Sequence, residues 1–144
     1  MKYNSWPAIM ETSCGVILCN YGAILLLQYP QGHWDFPKGH LEKQDANKKA
    51  AAIRELAEET GILDAKIVDG FEDKTEYTFT HKKKNISKQV WWYIAETETI
   101  EVDLSHEHQD YLWLEWNEAK KQLTHDKSRA VLHSAHEFMK KNRR

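Results

Sequence analysis

The stretch WDFPKGHLEKQDANKKAAAIRELAEETGI, residues 34–62, constrains this chain more than any other. A loop holding Pro37, Lys38 and Gly39 leads into a helical pattern whose apolar stripe is Ala52, Ile53, Leu56 and Ala57. Asp45 can cap the start of that helix, which runs to about Thr60. Gly61 can take the left-handed conformation that ends it. Glu55, Glu58 and Glu59 stand at i, i+3 and i+4 and so share one helix face. Spacing alone leaves two readings open. The trio is a solvated acidic face, where a like-charge neighbour costs about 0.2–0.5 kcal/mol. Or three hard carboxylates converge on a divalent cation, Mg²⁺ or Mn²⁺. Position favours the cation, because Glu58 and Glu59 lie in the last turn, where the helix dipole is itself negative.

The pattern around this stretch is mostly extended. Residues 12–19 and 23–28 read as strands joined by the turn signal Asn20-Tyr21-Gly22. A long ordered loop follows over residues 29–44. Residues 65–71 and 75–80 read as strands, 81–87 as a basic hairpin loop, and 88–96 as an aromatic strand. A short strand at 111–116 precedes helices at 117–123 and 126–140, the last with Val131, Ala135, Phe138 and Met139 facing inward. Strands outnumber helices without alternating with them, which indicates an α+β fold with helices packed on a mixed sheet. The 144 residues, 41% of them hydrophobic, fit one domain over 1–144.

The formal net charge of −2 disfavours bulk attraction to nucleic acid or membranes. No membrane partner and no stable nucleic-acid complex are expected, and an anionic ligand needs a local basic patch. The run HKKKNISK supplies one. Cys14 and Cys19, five apart in a strand, point to opposite faces and fit reduced thiols rather than a zinc pair or a disulfide. The N-terminal residues carry no apolar signal core, and the longest apolar run, residues 23–27, is too short to span a bilayer. A cytoplasmic monomer is expected.

The loop and helix together resemble the Nudix box, G-x5-E-x7-R-E-U-x-E-E-x-G-U with U aliphatic. Gly39 matches the opening glycine, and residues 54–62 match the second half at every fixed position. The resemblance implies a Nudix α/β/α sandwich, hydrolysis of a nucleoside diphosphate linked to another group, and a carboxylate-bound Mg²⁺ (or Mn²⁺) cluster. One departure stands out. Counting from Gly39 puts Asp45 at the first acid, whereas counting back from Arg54 puts Ala46 there, so the loop is one residue longer than the pattern. Asp45, as a helix cap, can do the loop-holding work of that first acid.

Segments outside the box narrow the resemblance. HWDFPKGHLE, VWWYIAE and VDLSHEHQDYLWL resemble the corresponding segments of animal-type asymmetric bis(5′-nucleosyl)-tetraphosphatases. Their substrate class is the dinucleoside polyphosphates, diadenosine tetraphosphate above all. This resemblance implies Glu55, Glu58, Glu59, the Gly39 carbonyl and Glu107 as the metal-binding and catalytic set, with Arg54 orienting the acids. It implies His40 and Lys88, and with them Lys83, as phosphate contacts, while Lys38 is either a phosphate ligand or a loop strut. Adenine needs a flat partner, and Tyr77 and Tyr111 are the candidates. His106 and His108 are read as solvent-facing or hydrogen-bonded. Trp91, Trp92 and Trp113 build core, and Trp34 wedges the loop against it. Two other readings remain: removal of pyrophosphate from 5′-triphosphorylated RNA, whose enzymes tend to carry W-x-x-P-Q-G-G in this loop, and a non-catalytic nucleotide-binding domain, which usually loses box glutamates.

Overall fold

The computed structural model of the protein describes residues 9–142; the N-terminal residues 1–8, on which part of the signal-peptide argument rests, lie outside it. The chain forms β1 (Ile9–Asn20), β2 (Ala23–Gln28), β3 (Trp34–Asp35), β4 (Lys38–His40), α1 (Lys48–Thr60) and β5 (Lys66–Ile67). It continues with β6 (Asp73–His81), β7 (Lys84–Glu96), β8 (Asp110–Glu115), α2 (Trp116–Gln122) and α3 (Asp126–Lys141). All eight strands join one mixed sheet. Its spine is the parallel pair β1–β7, in register from Ile9↔Ile86 to Cys19↔Glu96. The other edge of β1 pairs first with β4 and then with β2, β6 and β5 flank β7, and β8 and β3 flank β2.

Strand alternation sends the two sides of the sheet into two cores. Cys14, Val16, Leu18, Leu25 and Leu27 pack with Ala51, Ala52 and Leu56 of α1. Ile17, Cys19, Ile24, Leu26 and Trp92 pack with Ala119 of α2 and Val131, Leu132 and Ala135 of α3. The result is the expected three-layer sandwich. The two cysteines are free and buried on opposite faces. Among the described residues no helix is long and apolar enough to cross a membrane.

Four local expectations are corrected. First, Asp45 does not cap α1. Asn47 does, its side chain accepting the Ala50 N–H at 2.8 Å, because the Asp45 carboxylate is already taken by Arg54. Second, the basic loop at 81–87 shrinks to Lys82 and Lys83, both at positive φ, and β7 starts at Lys84. Such a two-residue turn matches strand twist, and Ile86 is buried as the alternation requires. Third, the strand at 65–71 pairs only at Lys66 and Ile67 before Gly70 turns the chain at φ 99°. Fourth, the buried face of α1 is rotated. Ile53 and Ala57 are only half-buried, while Glu59 and Thr60 lie inside with Ala51, Ala52 and Leu56.

Candidate active site

Arg54 organises the acidic end of α1. Its Nε and Nη2 donate to the two Asp45 carboxylate oxygens at 2.8 and 3.0 Å, and Nη2 also donates to the His40 carbonyl at 2.9 Å. Nη1 reaches Glu55 at 3.1 Å and Glu58 at 3.0 Å. One planar guanidinium thus ties loop to helix and separates like charges, which its fixed fork of donors suits. The bonds to Asp45 lead in raising the Arg54 pKa, and the Arg54 donors hold Asp45 below the usual carboxylate range. The extra loop residue is absorbed here: Asp45 closes a short turn with Glu42 and serves as the partner of Arg54.

The three glutamates are not equivalent. The Glu58 side chain is 58% exposed, Glu55 is 13% exposed, and Glu59 is 8% exposed. Gly39 sits against Glu55 so closely that a Cβ there would fall 2.0 Å from the carboxyl group. Burial raises the Glu55 pKa. Burial, reinforced by the Glu55 charge and opposed by Lys38, pushes Glu59 up to about 8. Glu59 Oε1 has no hydrogen-bond partner. Among the described residues no three histidine, cysteine or acidic side chains form a ready-made cage for an ion. The donor set nevertheless fits a hard divalent cation: carboxylate oxygens, two of them on desolvated side chains, one unpartnered. Glu107 is exposed in the turn beside Glu59, and its charge raises the Glu59 pKa further.

On the α3 side of the sheet lies a cavity of about 520 Å³ lined by His33, Asp35, Lys38, Tyr77, Lys88, His125, Asp126 and Lys127. Tyr77 and Lys88 are cross-strand partners, so the β6–β7 register puts ring and ammonium side by side. Burial, then the Lys38 charge, lowers the Lys88 pKa. The Lys38 ammonium sits 3.7 Å from Asp35 and 4.2 Å from the Tyr29 ring centroid. Asp35 is in turn held by the Phe36 N–H at 2.8 Å and the Ser128 hydroxyl at 2.9 Å. His33 stacks on Tyr29 and lies 5.5 Å from His125, centroid to centroid. The cavity offers cations for a polyanion and flat rings for a base.

The structure brings Gly39, Arg54, Glu55, Glu58, Glu59 and Glu107 to one end of α1, and Lys38, Tyr77 and Lys88 to the cavity. His40 is exposed, and its backbone carbonyl rather than its ring is engaged. Lys83 sits at the β6–β7 turn, five residues from Lys88 and outside the cavity lining. Tyr111 does not join Tyr77. It pairs with Leu27 and packs in the α1-side core, whereas Tyr77 packs on the α3 side, so the two rings cannot clasp one base. His33, Asp35, His125 and Lys127 escaped sequence reasoning. Only His33 and Asp35 lie inside the quoted HWDFPKGHLE loop; His125 and Lys127 carried no signal. His108 is buried, not solvent-facing, with Ser105 Oγ 3.2 Å from its Nδ1.

The NUDIX domain model matches residues 11–134. The chain is 36% identical over 121 residues to the asymmetrical bis(5′-nucleosyl)-tetraphosphatase of Mus musculus, a match spanning 80% of this chain and 79% of that protein. Identity to the Sus scrofa protein of the same name is 38% over the same shares. A solved C. elegans Ap4A hydrolase binary complex superposes with a TM-score of 0.78 at 30% identity, covering 90% of this chain and 97% of that one. The chain belongs to the Nudix family, and its three-layer sandwich is the Nudix fold.

Proposed function

We propose that this protein hydrolyses dinucleoside polyphosphates asymmetrically, taking diadenosine tetraphosphate to ATP and AMP, with Mg²⁺ or Mn²⁺ as cofactor. The observation that carries this reading is Lys38. It lines the nucleoside-sized cavity and also acts on the buried Glu59, so a base-binding chamber and an acidic centre meet at one side chain. The similarity to enzymes named for that reaction supports the same reading.

Tyr77 stacks one adenine, with His33 and His125 as the other rings of the chamber, replacing Tyr111 in that role. Lys38 and Lys88 offset phosphate charge, and Lys83 and His40 guide the outer part of the chain. Glu55, Glu58, Glu59, Glu107 and the Gly39 carbonyl would hold the divalent ions. Such ions, when bound, neutralise phosphate oxygens and lower the pKa of a bound water. Arg54 keeps the acids apart and in place. Water attacks the phosphorus of the distal AMP unit in line, the bond to the ATP oxygen breaks, and a box carboxylate takes the proton of the water. The buried free cysteines Cys14 and Cys19 are compatible with a reducing compartment, and the cytoplasm is the proposed location.

The deciding experiment incubates the protein and Mg²⁺ with dinucleoside polyphosphates, nucleoside triphosphates and 5′-triphosphorylated RNA and resolves the products. ATP plus AMP from diadenosine tetraphosphate is expected, with ¹⁸O from labelled water in AMP alone. Two molecules of ADP, or preferential release of pyrophosphate from RNA, would reject the proposal.

A further inference from the structure

Among the described residues, Glu59 Oε1 and His108 Nε2 are the buried side-chain atoms left without a hydrogen-bond partner. They sit on facing side chains: His108 Nε2 is 4.0 Å from Glu59 Oε2, and the two side chains are 2% and 8% exposed. Buried polar groups are nearly always satisfied, so two orphans at one place call for a common cause.

Their approach is built, not incidental. The segment before β8 is strapped to the C-terminal end of α1, with Asp103 N–H donating to the Thr60 carbonyl and Ser105 N–H to the Glu59 carbonyl, at 2.8 and 3.0 Å. His108 N–H donates to the Ser105 carbonyl at 3.1 Å, and the imidazole meets the Tyr29 ring edge-on at 4.6 Å. Backbone and ring contacts therefore fix the imidazole against the acid. A neutral imidazole carries a single N–H. When the Ser105 hydroxyl donates to Nδ1, that N–H is on Nε2 and faces Glu59. At 4.0 Å the contact is longer than a hydrogen bond, but the last side-chain torsion of a glutamate is soft enough to close it.

We infer that His108 is a positioning residue for Glu59: its Nε2–H holds Oε2 on the protein side and leaves Oε1 free to bind the divalent cation. The inference rests on the reading of Glu59 as a metal ligand. Partners outside the ligand set orient a ligating carboxylate in this way, and losing one typically costs about 10- to 100-fold in metal affinity.

The test uses the full-length chain and Mn²⁺ alone, with affinity read by electron paramagnetic resonance. Glu59→Gln is expected to weaken Mn²⁺ binding at least tenfold, a drop that establishes the ligand reading independently. His108→Met, similar in length but without a donor, is expected to weaken it about 10- to 100-fold. His108→Gln, which restores a donor near Nε2, should return it to within about threefold of wild type. Should His108→Met fail to fold, Ser105→Ala reads the same relay and should also weaken Mn²⁺ binding. Unchanged affinity in His108→Met, or in Ser105→Ala where that variant stands in, overturns the inference. So does an equal loss in His108→Met and His108→Gln. A nitrogen hyperfine coupling from wild-type Mn²⁺ would put Nε2 on the metal itself and also overturn it. If Glu59→Gln binds Mn²⁺ like wild type, the ligand reading fails and takes the inference with it.

Discussion

The two ends of this site solve opposite electrostatic problems. At the end of α1 an excess of carboxylates is neutralised internally: Arg54 alone contacts Asp45, Glu55 and Glu58 as well as the His40 carbonyl. Glu59 is buried out of reach of that guanidinium, and the Lys38 charge and backbone N–H offset part of its burial. On the α3 side the excess is cationic, with Lys38, Lys88 and Lys127 set against the buried Asp35 and the exposed Asp126. The acidic end is thus prearranged around Arg54, while the cavity gathers cations on the other side of the sheet. The first should respond to substitution through turnover and metal, the second through substrate affinity.

The largest break in that comparison is Glu59→Gln. Losing a metal-binding carboxylate forfeits several kcal/mol of transition-state stabilisation, so turnover should fall about 10³-fold. Stability should move the other way. Because its folded pKa is raised, the folded metal-free protein binds this proton more tightly than the unfolded chain. The site carries no penalty below about pH 4.5, and the penalty grows until the pH passes about 8. Denaturant titrations of metal-free protein should show wild type losing stability relative to Glu59→Gln across that window, by on the order of a few kcal/mol, and regaining it with Mg²⁺. Parallel pH curves for the two proteins would mean that Glu59 is not strained by burial.

Next comes Arg54→Ala. With the hub gone, Asp45, Glu55 and Glu58 face one another unpaired. Turnover should fall about 10- to 100-fold, and the melting temperature should drop. Arg54→Lys should not restore either, since an ammonium cannot reproduce the two-pronged contact with Asp45. Full rescue by lysine would reduce Arg54 to a point charge.

The cavity is probed by a matched pair. Tyr77→Ala should raise the Michaelis constant for the dinucleotide by about 5- to 150-fold, the 1–3 kcal/mol of one stacked base, with turnover nearly unchanged because stacking acts on ground and transition states alike. Tyr111→Ala, on the other face of the sheet, should lower the melting temperature and leave the Michaelis constant alone. Equal effects on the Michaelis constant would contradict the division of the rings between the two faces. The smallest effect belongs to the helix start. Asn47→Ala should cost about 1 kcal/mol in chemical denaturation and leave turnover per folded molecule intact.

How far the sequence reaches can be judged element by element. Strand 23–28 is visible because its continuous apolar run is buried on both faces. The end of α1 is visible because Gly61 does take φ 73°. The hairpin at Lys82-Lys83 was obscured by its own charge: lysines on a solvated strand end read as loop, although Ile86 kept the strand alternation. Asp45 loses the cap position for a related reason. Asp45 and Asn47 are both competent caps, and the choice was made by Arg54, nine residues further on.

What the sequence determined by itself is the acidic end. Arg54, Glu55, Glu58 and Glu59 lie within one short segment of α1, and helical geometry of about 100° per residue fixes their relative directions wherever the helix is placed. Only the tertiary structure decided which glutamate is buried, because Glu59 is covered by a strap from residues 103–108 that no local pattern announces. It also decided the cavity, whose members come from positions 33–38, 77, 88 and 125–127. Those residues meet through the Tyr77↔Lys88 register and the packing of α3. A shift of one residue in that register would send Tyr77 to the face where Tyr111 lies.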